Sequence, residues 1–176
     1  MNARLLAGAW MGLSLLLTQV GEAAEGPVPG HLPGEEAAVL AVVDQFMTAI
    51  STNDLQLMAS VQLPDGMTYR AGPAKDGGVE VIGRPNSYWV QPERADGRAR
   101  IERYWSPTVL VRGHIAVVWT PYEFWLDGKR SHCGIDTFDL VKVGGSWRVA
   151  NAMWTVEPDG CASLDPPAPS AMRPVR

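Results

Sequence analysis

The sequence predicts an α+β domain, in which two amphipathic helices precede a long antiparallel meander and cover one face of it. Three observations carry that expectation. Val39, Val42, Val43, Phe46 and Ile50 recur at helical spacing. Four runs rich in Val, Ile, Trp, Tyr and Thr fill most of residues 100–157. Arg112-Gly113, Asp127-Gly128 and Gly144-Gly145 separate them, and each pair suits a tight turn. With 176 residues, 46% of them hydrophobic and 19% charged, the chain can bury one core of its own.

Taken in order, the chain starts with Arg4, an apolar run from residue 5 to 20 and a small-residue stretch at 21–24, the pattern of a secretory signal peptide over residues 1–23. A periplasmic or secreted location follows, with no stable membrane association after cleavage. Pro27, Pro29 and Pro33 make residues 24–34 a flexible linker. The domain then spans 35–161. Glu35 and Glu36 suit the start of the first helix, and Thr52 or Asn53 can cap a second, shorter one that Pro64 prevents from continuing. Residues 67–70 form a short candidate strand. The segment 71–97 is ambiguous, punctuated by Pro85 and Pro92, and a mobile stretch there would serve as a lid. The strands are expected at 100–112, 114–126, 130–143 and 146–157, and the Pro-rich tail 162–176 is expected to be disordered.

The net charge is −4, and removing residues 1–23 takes away Arg4 and Glu22 together, leaving it unchanged. Such a chain has no electrostatic reason to bind nucleic acid, and the basic cluster at 94–103, interrupted by Asp96 and Glu102, reads as a solvated strand edge. Export would let Cys133 and Cys161 persist as a disulfide; the alternative is a reactive thiol.

The candidate site lies on the third run. Alternation puts His132, Asp136, Phe138 and Leu140 on one strand face, two ionisable groups among apolar ones. Counting outward from two-residue turns at Gly144-Gly145 and Asp127-Gly128 places Asn151 opposite Phe138, Met153 opposite Asp136, Trp119 opposite Asp136 and Glu123 opposite His132. That register gathers Trp119, Glu123, His132, Asp136 and Asn151 on one face; Tyr122 joins them only if a bulge near Pro121 turns it inward. Asp136 is the candidate base or ligand anchor, because a carboxylate among apolar neighbours titrates high. His132 either assists it or simply pairs with Glu123. One histidine and two carboxylates do not make a metal site, and no cofactor is expected.

The order of two helices, an irregular segment and a meander carrying DGKRSHCGIDTFDLVKVGGSWRV (127–149) resembles the nuclear transport factor 2-like superfamily, in particular the secreted bacterial branch labelled SnoaL-like or lumazine-binding-like. The resemblance covers residues 35–161. It implies a cystatin-like cone in which a curved sheet wraps a long helix, a pocket at the wide end and often a homodimer through the outer sheet face. It also implies that Asp136 is the pocket carboxylate of isomerase- or cyclase-type members, although no tyrosine is placed as an oxyanion donor. The leading expectation is a binder of a small ligand, with Trp119, Phe138 and Met153 as apolar walls and His132, Asp136 and Asn151 as anchors. The alternatives are an isomerase, cyclase or dehydratase using Asp136 as base, and a structural dimerisation module.

Overall fold

The computed structural model describes residues 34–174; the signal-peptide reading and almost all of the linker lie outside them. Helix α1 (Glu35–Thr52) buries Val39, Val43, Phe46, Met47 and Ala49, an apolar stripe along one side. Asn53 ends it in the left-handed conformation, so it cannot begin the next helix. The cap of α2 (Leu55–Val61) is instead Asp54, whose carboxylate accepts from the amides of Gln56 and Leu57.

Seven strands follow: β1 (Met67–Pro73), β2 (Val79–Pro85), β3 (Arg100–Tyr104), β4 (Thr108–Arg112), β5 (Ile115–Leu126), β6 (Lys129–Val143) and β7 (Ser146–Thr155). They form one sheet in the order β2-β1-β7-β6-β5-β3, with β4 also on β5. It is antiparallel except for β1 against β7, which run parallel. The run expected as one strand over 100–112 is two. Trp105, Ser106 and Pro107 break it, with Ser106 at φ 45°, and both pieces pair with β5. The ambiguous segment resolves into β2 and two short 3-10 turns, Asn86–Val90 and Pro92–Arg94.

Both hairpin turns fall where the sequence places them, with Val143 opposite Ser146 and Leu126 opposite Lys129. The register then slips on each side. Ser131 is an extra residue between the Trp125–Arg130 and Phe124–His132 pairs, and Ala150 is extra between Leu140–Val149 and Asp139–Asn151. A one-residue bulge reverses the facing of every residue beyond it. Asp136 therefore sits opposite Thr120 and Trp154, not Trp119 and Met153.

The inner face of the sheet wraps α1. Val118, Phe138, Leu140 and Val149 are buried against Val39, Val43, Phe46 and Met47, and the rings of Phe46 and Phe138 meet edge to face at 5.4 Å. Each fully buried side chain of this size contributes roughly 1.5–3 kcal/mol. At the narrow end, Trp147 donates its indole N–H to Glu35 Oε2 at 2.6 Å, tying β7 to the start of α1.

Residues 162–174 are held against the domain, contrary to the expectation from their proline content. Arg173 and Tyr104 exchange both backbone hydrogen bonds at 2.8 Å, closing the free edge of β3. The Arg173 guanidinium binds Asp44 of α1, and Met172 is buried. An unpaired strand edge and one apolar anchor hold what composition alone would leave loose. Cys133 and Cys161 form a disulfide that ties β6 to the start of this segment.

Candidate functional site

Beyond the buried part of α1 the cone opens into a cavity of about 560 Å³. Helices α1 and α2 contribute Phe46 and Met58 to its lining, and the sheet contributes Tyr122, Phe124, His132, Asp136, Phe138 and Trp154. The segment considered as a lid also borders it, through Trp89, Glu93 and Arg94. Trp89 is held as a wall: its indole N–H donates to Thr68 Oγ1 at 2.7 Å, and its ring meets Trp154 edge-on at 6.0 Å.

Two carboxyl groups are buried in this lining. Asp136 is 4% exposed and Glu102 8%. Asp136 Oδ2 has no hydrogen-bond partner among the described residues. Loss of hydration raises the Asp136 pKa well above the usual carboxylate range, and the nearby Glu102 raises it further. Burial pushes Glu102 up to about 8. A pair of this kind holds a proton at neutral pH, so it can donate to a ligand oxygen, and a member that ionises can accept.

Tyr122 faces inward, and the bulge responsible is the one at Ser131 rather than one near Pro121. Its hydroxyl is already committed, donating at 2.7 Å to the carbonyl of Thr155. Tyr122 is a wall and not a free oxyanion donor. His132 lies between Tyr122 and Phe124, with ring centroids at 5.7 and 5.2 Å, and its Nδ1 is 3.0 Å from Ser131 Oγ. Burial, and then the positive charge of Arg70, lower its pKa to about 4, so the ring is neutral at pH 7.

The structure thus brings together His132, Asp136, Phe138 and Tyr122. Four other candidates lie elsewhere, because the two bulges reverse their facing. Trp119 is 54% exposed and Met153 50% on the outer face. Asn151 accepts from the Met67 amide at 3.0 Å, which holds the start of β1. Glu123 is buried, but it accepts from Arg103 and lies 3.8 Å from Arg130, so it has no pairing with His132. Sequence reading missed Glu102, Arg70 and Trp89, and the register that turns Met153 inward puts Trp154 on the outer face, where the bulge at Ala150 instead brings it into the cavity. The alternation Arg100, Glu102, Tyr104 carried the signal for Glu102, since Tyr104 is fully buried on the same face.

Among the described residues, no cluster of three His, Cys, Asp or Glu could hold a metal, and no helix is long and apolar enough to cross a membrane. The sequence matches no family model and no curated protein. Solved structures do match. A nuclear transport factor 2-like protein of unknown function from Pseudomonas putida superposes with a TM-score of 0.57, at 16% identity over 72% of this chain and 89% of that one. The fold is nuclear transport factor 2-like. A protein of unknown function with a cystatin-like fold from Nostoc punctiforme is similar at TM-score 0.56 and 13% identity, over 73% of this chain and 95% of that one. The beta subunit of a putative aromatic-ring-hydroxylating dioxygenase from Novosphingobium aromaticivorans gives 0.58 at 11% identity, over 70% and 89%. A fold does not fix a chemistry, so function rests on the residues inside the cone.

Proposed function

We propose that this chain is an exported nuclear transport factor 2-like protein, of the SnoaL-like or lumazine-binding-like kind, that binds a small, largely apolar or aromatic ligand in its cone. The observation that carries the reading is the unpartnered Asp136 Oδ2 in a cavity of about 560 Å³ walled by Trp89, Trp154, Phe124 and Phe138. Aromatic walls favour a flat apolar body, and a buried polar group without a partner favours a ligand that supplies one. The signal-like residues 1–23 and the paired cysteines support a periplasmic or secreted location. The test is a thermal-shift screen with aromatic and steroid-like compounds. Stabilisation should vanish in Trp154→Ala and persist in Trp119→Ala, whose site is on the outer face; loss in both, or in neither, would refute the assignment.

A second reading, an isomerase, cyclase or dehydratase, is favoured by the second carboxyl. Burial and the Glu102 charge favour keeping the pair's proton on Asp136, so catalysis requires a substrate that draws the proton to Glu102; Asp136, then ionised, would be the base for a proton beside a carbonyl and Glu102 the donor to the developing oxyanion. Asp136→Asn should then cut turnover of a discovered substrate by about 10²–10⁴-fold. The outer sheet face, where Leu110, Ile115, Val117 and Trp119 are exposed side by side, supports a homodimer.

A further inference from the structure

Three residues of the cavity stand in a row. Arg70 on β1 is opposite Trp154 on β7, and Trp154 is opposite Asp136 on β6, so the three share one rung and one face of the sheet. Two strand spacings separate the backbones of Arg70 and Asp136 by roughly 10 Å, with an indole between them. A cation, a flat apolar platform and a buried carboxyl are therefore laid out in line inside the cone.

Arg70 is the least committed of the three arginines that line the cavity. Arg100 is bound at 2.6–2.7 Å by Asp96 and Asn53, and Arg94 donates to the Tyr88 hydroxyl at 2.8 Å. Arg70 has one long contact, to Glu80 at 3.5 Å, whose side chain is 53% exposed. A pair so exposed contributes little, and a ligand carboxylate meeting the guanidinium edge within the cavity would displace it. Arg70 lines the cavity, and its positive charge is felt at His132 and Tyr122.

Building on the ligand-pocket reading, we propose that the cavity takes a flat-bodied carboxylic acid, its carboxylate on Arg70, its ring system over Trp154 and a neutral oxygen at its far end on Asp136. The carboxylate fills the donors that Glu80 leaves open, the ring lies in the angle between Trp154 and Trp89, and the oxygen partners Asp136 Oδ2. The Asp136 end takes a hydroxyl or carbonyl rather than a second anion, because the charge of Glu102 in the same lining is felt there and, among the described residues, no cation is paired with either carboxyl.

The test is calorimetric titration of the folded chain with a naphthoate bearing a hydroxyl at the opposite end of its ring system, with its methyl ester, and with naphthol. The acid should bind at least about tenfold more tightly than the ester, a difference of ~1.4 kcal/mol. Arg70→Gln should abolish that preference by weakening acid binding far more than ester binding, and Glu80→Gln, which removes the competing carboxylate, should tighten acid binding further. The melting temperature of each unliganded variant checks that it is folded. Equal binding of acid and ester by the wild type, or a preference that survives in Arg70→Gln, would overturn the acid-anchor proposal and leave the apolar pocket standing. Failure of all three compounds to bind would overturn the pocket reading, and this proposal with it.

Discussion

Asp136 and Glu102 show how burial changes what a carboxyl group does. A raised acid pKa gives a pH dependence opposite to that of a salt-bridged carboxylate. Between the ordinary value of 4.5 and about 8, Glu102 keeps a proton in the folded chain that it releases in the unfolded one, so stability falls as pH rises through that window. His132 acts in the other direction: its folded pKa of about 4 lies below the ordinary 6.5, so its contribution is lost as pH falls between those values. Glu102→Gln should flatten the alkaline decline, which reaches at most ~1.4 kcal/mol per pH unit for one group, and denaturant melts near pH 5 and pH 8 would show it. An unchanged slope would remove Glu102 as its source. Gly134 supports the same site by what it lacks. It faces Tyr122 across β5 and β6, and a Cβ there would lie 2.2 Å from the Thr155 carbonyl and 2.9 Å from the Tyr122 ring. Gly134→Ala should therefore destabilise the fold by about 1–3 kcal/mol and break the Tyr122 hydroxyl bond, measurable as a lower melting temperature and altered tyrosine absorption.

At the scale of elements, the hairpins were legible and the bulges were not. Alternation along β6 correctly put His132, Asp136, Phe138 and Leu140 together, because a period of two depends only on one strand. The neighbouring strands depend on register, and one extra residue on each side, Ser131 and Ala150, exchanged Trp119 for Thr120 and Met153 for Trp154. Neither residue is a glycine or proline, so nothing local marks the bulge. What holds the second bulge comes from far away in sequence. The side-chain amide of Asn86, fully buried at the first 3-10 turn, donates to the carbonyls of Ala150 and Leu63 at 3.1 and 2.7 Å, while the Asn86 backbone carbonyl accepts from the Gln62 side chain. Gly66 leaves the room, since a Cβ there would meet the Ala150 oxygen at 1.7 Å. Asn86→Ala should take this donor from the Ala150 carbonyl and leave the Leu63 carbonyl only the Gly66 amide at 3.3 Å, at a cost of about 1–3 kcal/mol, and weaken ligand binding, because Trp154 owes its inward facing to this bulge. Hydrogen exchange at the amides of residues 150–154 should rise in the variant. Unchanged protection there would mean that the sheet alone sets the register.

Across the whole molecule, the outer sheet face is divided in two. Near the wide end it is closed by the chain's own tail: Cys161 is fastened to Cys133 on β6, Trp105 donates to the Leu164 carbonyl at 3.3 Å, and Arg173 pairs with the edge of β3. Toward the narrow end Leu110, Ile115, Val117 and Trp119 are left exposed. The disulfide is what makes this division durable, because the tail's sequence, rich in proline, has little hydrogen bonding of its own. It closes a loop with a sequence separation of 28, a constraint on the unfolded chain worth about 3–4 kcal/mol. Replacing Cys133 and Cys161 together by alanine should lower unfolding stability by that amount, and proteolysis should then cut first within residues 161–174. Two effects separate at this point. If the exposed half of the face joins two copies, Trp119→Glu should convert a dimer to a monomer in light scattering without changing ligand affinity, since Trp119 is remote from the cavity lining. The cysteine variant, by contrast, should keep the dimer, because its tail covers the other half. A wild-type chain that is monomeric at concentrations of tens of micromolar would leave the exposed patch without a second copy to cover it.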